Sequence, residues 1–386
     1  MRGLAALAVL CNHVGVATVG GVCAPKWLVW PADGAAAVMV FFVLSGYVIG
    51  LTYPPSPGSK DVKLYILKRC VRLMPINFVA VLLACAVATH VDLWSALANL
   101  FFLGNFTPYA GISIPVIAGN ENLWSLNYEV LYYALFIFIW LSNPRLPWVM
   151  GASLVAAGLG WYTNWLPLFV ACYAAGFLFW VAGLALAWRA QPSGRENSNW
   201  PSCVLLLLVT WKLRGLLNVL AGFPVPVFDG PVARLYYVDF LPVCIWLLAI
   251  VARRTLPGLK WIKAFCVLMP IVGLVIKFYR PGYFTPLDYR MALGAYLLAL
   301  LLWNWRPSLR FFRVFAPVGS IAFALYAVGR PIQAFTFAHT QWLPGNYWGY
   351  GVCVSVTLIV CLGVAWCLER QMQPRLSQAA KSIRTG

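Results

Sequence analysis

The sequence predicts an all-α protein, a polytopic transmembrane helix bundle of about 10 to 12 spans with both termini on the cytoplasmic side. Three observations predict it. Hydrophobic residues make up 62% of the 386 positions and charged residues only 10%, too apolar for an ordinary soluble globule. Apolar runs recur nearly from end to end, with only short polar gaps between them. The cations also alternate. With the N-terminus inside, 20 of the 28 Lys and Arg residues fall in inner gaps and five in outer ones, Lys26, Arg234, Lys277, Arg280 and Arg290. The positive-inside rule therefore makes both ends cytoplasmic and the number of crossings even.

In chain order the runs lie near 3–22, 34–53, 75–91, 123–141, 147–163, 166–188, 202–221, 235–251, 261–279, 289–305, 315–337 and 348–369. Those at 147–163 and 289–305 are short for a crossing, which needs about 20 residues. The first run leads into another span rather than a small-residue cleavage site, so it reads as a retained helix. Residues 54–60, rich in Pro and Ser, form a turn before a basic segment, and 105–122 is the longest outer gap. No gap is long enough for a soluble domain. Residues 1–370 therefore read as a single membrane domain, with 371–386 a polar cytoplasmic tail.

A net charge of +18 would suggest nucleic acid in a soluble protein, but here the positive-inside pattern accounts for it. The expected partner is the lipid bilayer, with no nucleic acid. The eleven cysteines are scattered mostly inside apolar runs without a C-x-x-C pair, and none lies at ligand spacing from His13, His90 or His339. No metal is expected.

Few residues remain that carry chemistry. Arg2 and His13 are eleven positions apart, so on one helix they share a face about 16 Å apart. An ionisable His inside a span is either functional or an interhelical hydrogen-bonding residue. Glu129 lies about 9 Å inside its own span, with Ser125 one turn before it. It reads either as a water-capped carboxylate at a helix neck or as the carboxylate that orients an imidazole. Lys68, Arg69 and Arg72 present a cationic face suited to anionic lipid or to phosphates. Ser45-Gly46 is a packing notch or a place where substrate meets backbone. Lys212, Arg214 and Arg330 fall within runs and are cavity candidates. No internal repeat is visible, which weighs against transporters built from duplicated halves.

Five segments in order resemble the acyltransferase 3 family of membrane proteins over nearly the whole chain. They are Arg2-x10-His13, Phe41-Phe-Val-Leu-Ser-Gly46, Lys68-Arg-x-x-Arg-Leu-x-Pro75, Asn122-Leu-Trp-Ser-Leu-x-x-Glu129 and Leu368-Glu-Arg370. The resemblance implies an enzyme moving an acyl group, often acetyl, from cytosolic acyl-CoA to a hydroxyl of an extracytoplasmic saccharide or glycolipid. It implies an integral membrane protein of the bacterial inner (plasma) membrane. His13 would be the general base and Glu129 its orienting carboxylate. Arg2, Lys68, Arg69 and Arg72 would hold acyl-CoA (acetyl-CoA), while Ser45, Gly46, Trp124, Ser125 and Tyr128 would line the acceptor cavity. Two departures stand out: family members usually carry an acidic lead-in before the Arg, and many have His where this chain has Gly329. The competing reading is a transporter or flippase for a lipid-linked sugar or organic anion, with His13 and Glu129 as a proton relay.

Overall fold

The computed structural model describes residues 1–55, 61–104, 106–109, 112–163, 165–194, 198–213, 235–279, 286–340 and 342–385. The helices in order are α1 (Arg2–Val16), α2 (Lys26–Val29), α3 (Gly34–Thr52), α4 (Val62–Val87), α5 (Leu93–Leu100), α6 (Trp124–Ser142), α7 (Leu146–Tyr162) and α8 (Leu168–Arg189). Then come α9 (Trp200–Leu213), α10 (Leu241–Val251), α11 (Leu259–Tyr279), α12 (Pro286–Leu301), α13 (Ala316–Ser320), α14 (Ala322–His339), α15 (Tyr347–Trp366) and α16 (Gln373–Thr385). Among the described residues, strands are confined to two antiparallel pairs: β1 (Phe106–Tyr109) with β2 (Ile112–Ile114), and β3 (Gln191–Pro192) with β4 (Arg254–Thr255). The all-α expectation therefore holds in substance.

Among the described residues, six helical stretches are long and apolar enough to cross a bilayer: Lys26–Thr52, Val62–Val87, Glu121–Ser142, Phe169–Arg189, Leu259–Ile276 and Tyr347–Ala379. A seventh forms if Leu309–Ser320 and Ala322–His339, bent by 62°, are one span. Most apolar runs coincide with helices, although residues 214–221 of the run 202–221 lie outside the described residues and the run 235–251 becomes α-helical only at Leu241. Three further differences bear on the site. The first run was expected to continue to residue 22, but α1 stops at Val16 as Ala17 turns extended. This places His13 in the helix's last turn rather than at mid-depth. The third run was expected to begin at 75, yet the Asp61 carboxylate accepts from Leu64 N at 2.8 Å and starts α4 thirteen residues earlier. An Asp at the N-cap answers an otherwise unpaired amide, and it brings the whole basic segment onto the helix. The run 315–337 breaks at Ile321 into α13 and α14.

The chain divides into two compact units. The first comprises Met1–Ala37, Ser56–Leu141 and Phe315–Gly386, and the second Val38–Pro55 and Ser142–Val314. In the first, α1 begins against α13: a Cβ on Gly3 would stand 2.7 Å from both Phe315 O and Gly319 N, so this approach requires glycine. Inside α14, Pro331 has no N–H to give the Ala327 carbonyl one turn back. The Asn120 side chain supplies the missing donor, Nδ2 to Ala327 O at 2.8 Å. Apolar surroundings offer no water to do this, so the residues before α6 become attached to α14.

In the second unit, α3 packs on α8 through glycine. A Cβ on Gly46 would collide with the Trp180 carbonyl oxygen, and one on Gly183 with the Val43 carbonyl oxygen. Trp180 Nε1 also donates to Ser45 Oγ at 3.3 Å. Gly46→Val should therefore lower the stability of the detergent-purified protein by about 1–3 kcal/mol through overpacking. Gly151→Ala, in a helix with nothing within 4 Å of the added atom, should leave the thermal midpoint unchanged or slightly higher.

Candidate active site

His13 is held by two chains of side chains in the first unit. Its Nε2 lies 2.8 Å from Asn122 Oδ1, while Asn122 Nδ2 donates to Tyr326 O at 3.3 Å. The second bond decides the first. An amide nitrogen facing a carbonyl must be the donor, so the oxygen faces the ring and His13 Nε2 must carry the proton. That leaves Nδ1 as the basic nitrogen, with no hydrogen-bond partner among the described residues. The His13 backbone is fixed as well, because Gln333 Nε2 donates to His13 O at 2.8 Å and Tyr350 OH donates to Val14 O at 2.9 Å. Both are carbonyls of the last turn of α1, where the helical ladder runs out; Val14 O also accepts from Ala17 N at 3.2 Å. Arg330 completes the chain, with Nη1 to Gln333 Oε1 and Nε to Glu121 Oε2, each 2.8 Å.

A second series of contacts runs from Asn122 toward the basic helix. The Tyr326 hydroxyl donates to Asn122 O at 2.9 Å and accepts from Ser125 Oγ at 2.7 Å. Glu129 lies one turn beyond Ser125 and within electrostatic reach of Tyr326. The Tyr133 hydroxyl donates to Glu129 Oε1, and its ring lies 5.4 Å from the Arg69 guanidinium carbon. Arg69 also lies over Tyr65, at 5.7 Å. Buried and half-buried polar groups thus succeed one another from His13 toward Arg69. Glu129, expected to orient the imidazole, sits about 10 Å farther along α6 than Asn122. The imidazole is oriented by Asn122 instead, because the amide reaches the ring and the Glu129 carboxylate is bonded by Tyr133.

Arg72 has a different attachment. It forms a two-pronged ion pair with Glu369, Nη2 to Oε1 at 2.8 Å and Nη1 to Oε2. The Glu369 side chain is only 3% exposed and lies in a single stretch of π-helix, Cys367–Met372. Its Oε1 also accepts Ala324 N at 3.3 Å, answering an amide in the first turn of α14. Arg370 Nη2 donates to Ser320 Oγ at 2.9 Å. The Leu368-Glu-Arg370 motif is therefore an anchor for α4, α13 and α14. Lys68 is exposed, and Arg2 opens α1.

Of the expected cavity residues, Trp124 and Tyr128 are buried and meet edge to face at 5.2 Å, with Tyr128 in the same relation to Tyr132. Ser125 belongs to the polar series described above. Ser45 and Gly46 belong to the second unit and form a packing notch there, because the Trp180 backbone occupies the space a cavity would need. Lys212 ends α9 half-buried, and Arg214 lies outside the described residues. Arg330 joins the His13 cluster. Sequence reading overlooked Glu121, Asn122 and Gln333 as partners of that cluster. The signal for Gln333 was its spacing, since a Gln three residues after an Arg on an apolar helix shares its face.

A multi-helix bundle with several helices long and apolar enough to cross a bilayer defines an integral membrane protein. Comparison with known proteins narrows that class. The acyltransferase domain model, Acyl_transf_3, matches residues 1–265, and the chain belongs to the acyltransferase 3 family. The exopolysaccharide production protein ExoZ of Rhizobium meliloti is 35% identical over 136 residues, 32% of this chain and 41% of ExoZ. The peptidoglycan O-acetyltransferase OatA of Listeria monocytogenes is 28% identical over 182 residues, 41% of this chain and 27% of OatA. The chain thus spans less than two thirds of either relative. No solved structure matches it.

The ion pair makes a test of its own. Arg72→Ala should destabilise the protein by at least about 2 kcal/mol by stranding a buried carboxylate, whereas Arg72→Ala with Glu369→Gln should recover part of that loss. Thermal unfolding of the two variants and wild type measures the difference.

Proposed function

We propose that the chain is an integral membrane O-acyltransferase that moves an acyl group, acetyl in the first instance, from cytosolic acyl-CoA to a hydroxyl of an extracytoplasmic saccharide or glycolipid. The observation that carries this reading is the tautomer imposed on His13: the contact to Asn122 leaves Nδ1 as a base inside a bundle otherwise poor in titratable groups. The two relatives support the substrate class, since one is named for exopolysaccharide production and the other for O-acetylation of peptidoglycan.

In this reading the acceptor hydroxyl gives its proton to His13 Nδ1 as its oxygen attacks the thioester carbonyl carbon. The carbon–sulfur bond breaks, and the departing CoA thiolate takes the proton back from the imidazolium. Asn122 accepts from Nε2–H throughout, fixing the ring as partner groups fix catalytic imidazoles. A buried amide can do this without adding a second charge. Glu129 and Tyr133 lie along the donor's approach, between the base and Arg69. Lys68 and Arg69 hold the phosphates of acyl-CoA, with Arg2 at the mouth of the His13 face. Arg72 shares the role only through the N–H groups left over, because Glu369 takes one from each Nη.

The membrane arrangement belongs to the same proposal: N-in and C-in, an even number of crossings between ten and twelve, in a bacterial inner membrane. The shorter apolar helices Arg2–Val16, Leu146–Trp161, Trp200–Leu213 and Val238–Val251 would add to the longer spans, tilted or reaching only part way.

Transfer of labelled acetyl from acetyl-CoA to envelope glycan in membrane vesicles tests the reaction. His13→Ala should reduce the rate by about 10²–10⁴-fold, the usual contribution of a general base, and an undiminished rate would overturn the assignment. Asn122→Leu should reduce kcat with little effect on the KM for acetyl-CoA, while Arg69→Ala should raise that KM.

A further inference from the structure

The contacts around His13 close on themselves. From the imidazole, Nε2–H donates to Asn122 Oδ1 at 2.8 Å, and the next residue back along the chain is Glu121. Glu121 Oε2 accepts from Arg330 Nε, Arg330 Nη1 donates to Gln333 Oε1, and Gln333 Nε2 donates to His13 O, each at 2.8 Å. The circuit leaves His13 by its side chain and returns to its backbone. It joins three segments far apart in sequence: the last turn of α1, the turn Glu121–Leu123 before α6, and α14. Each amide in it has one permitted orientation. Gln333 faces an arginine with one end and a carbonyl with the other, so its oxygen and nitrogen cannot exchange.

The links differ in exposure. Asn122 and Gln333 are 5% and 1% exposed, whereas the side chains of Glu121 and Arg330 are 47% and 30% exposed. An ion pair so open to solvent contributes little to stability by itself. Its two charges oppose each other within electrostatic reach of His13, so it closes the circuit without placing a net charge beside the imidazole. The turn is already tied to α14 by Asn120 Nδ2 to Ala327 O and Asn122 Nδ2 to Tyr326 O. What the pair fixes is Arg330, and through it the Gln333 amide that holds the His13 carbonyl.

We propose that Glu121, Arg330 and Gln333 are positioning residues for acyl transfer, with the Glu121–Arg330 pair closing a clamp on both the side chain and the backbone of His13. This rests on the reading of His13 as the general base. Asn122 sets the rotation of the imidazole, but His13 lies in the last turn of α1, where the helix's own ladder runs out and partners from α14 and α15 take over. Transfer needs the reacting atoms aligned and about 3–3.5 Å apart, and a misplacement of about 1 Å can cost about a hundredfold in rate. A clamp on the backbone of the base therefore bears on kcat rather than on binding.

The test is transfer of labelled acetyl in membrane vesicles, together with thermal unfolding of each purified variant. Glu121→Ala and Arg330→Met should each lower kcat about tenfold, with the KM for acetyl-CoA and for the glycan acceptor unchanged within about twofold and the unfolding midpoint near that of wild type. The double variant should also lose about tenfold, because one break already opens the circuit. Glu121→Gln keeps an acceptor for Arg330 Nε and should recover most of the rate. The proposal is overturned if either single variant retains the wild-type kcat, if the two losses multiply in the double variant, or if Glu121→Gln is as slow as Glu121→Ala. It is overturned as well if the loss falls in KM, which would make the pair a substrate contact, or if the midpoint drops in step with the rate, which would make it structural. His13→Ala, measured alongside, separates the two levels. An undiminished His13→Ala rate removes the general base and this proposal with it, whereas a lost His13→Ala rate beside unchanged Glu121→Ala and Arg330→Met rates removes this proposal alone.

Discussion

The constraint on which the first unit depends is that every backbone polar group inside an apolar bundle must find a partner within the protein. Three of the places where the regular helical ladder breaks show this: α1 stops at Val16, α14 carries Pro331, and α14 begins after the break at Ile321. Each is answered by a side chain from another element: Gln333 and Tyr350 for the end of α1, Asn120 for Ala327, and Glu369 for Ala324. The candidate site lies where these repairs converge. His13 is positioned because the carbonyl behind it needs a donor, and Asn122 reaches it because the residues before α6 are tied to α14.

The same economy explains why charge appears so sparingly. Glu121 pairs with Arg330 and Glu369 with Arg72, while Glu129 is bonded by Tyr133, so each of these carboxylates has a partner, which for the buried Glu369 lowers the cost of its burial. The ring of Tyr133 then passes contact on to Arg69. A structural requirement for neutralised, hydrogen-bonded groups thus sets polar side chains one after another inside an otherwise apolar bundle. The second unit meets the packing problem differently, with glycines that let α3 and α8 approach backbone to backbone.

Helix positions were legible because length and apolarity are local properties. Runs at 34–53, 123–141 and 166–188 match α3, α6 and α8 to within two residues at either end. Helix ends were less legible where a distant group decides them. The stop of α1 is stabilised by Gln333 and Tyr350, more than 300 residues away, and no window of sequence contains both sides. The break at Ile321 likewise depends on Glu369. Arg72 read as a free cation because its partner, Glu369, is 297 residues later.

The sequence by itself determined that this is a helical protein of membrane composition and, through five ordered motifs, its family, and it singled out His13, Glu129 and the Lys68–Arg72 segment as candidates. Those are properties of composition, periodicity and order along the chain. Only the tertiary structure decided which groups meet: that Asn122 rather than Glu129 orients His13, that Nδ1 is its basic nitrogen, that Arg72 serves an anchor, and that Ser45-Gly46 is a packing notch. The physical reason is the range of the interactions. A hydrogen bond acts over about 3 Å in space but joins residues any distance apart in sequence, so partner choice is settled by packing.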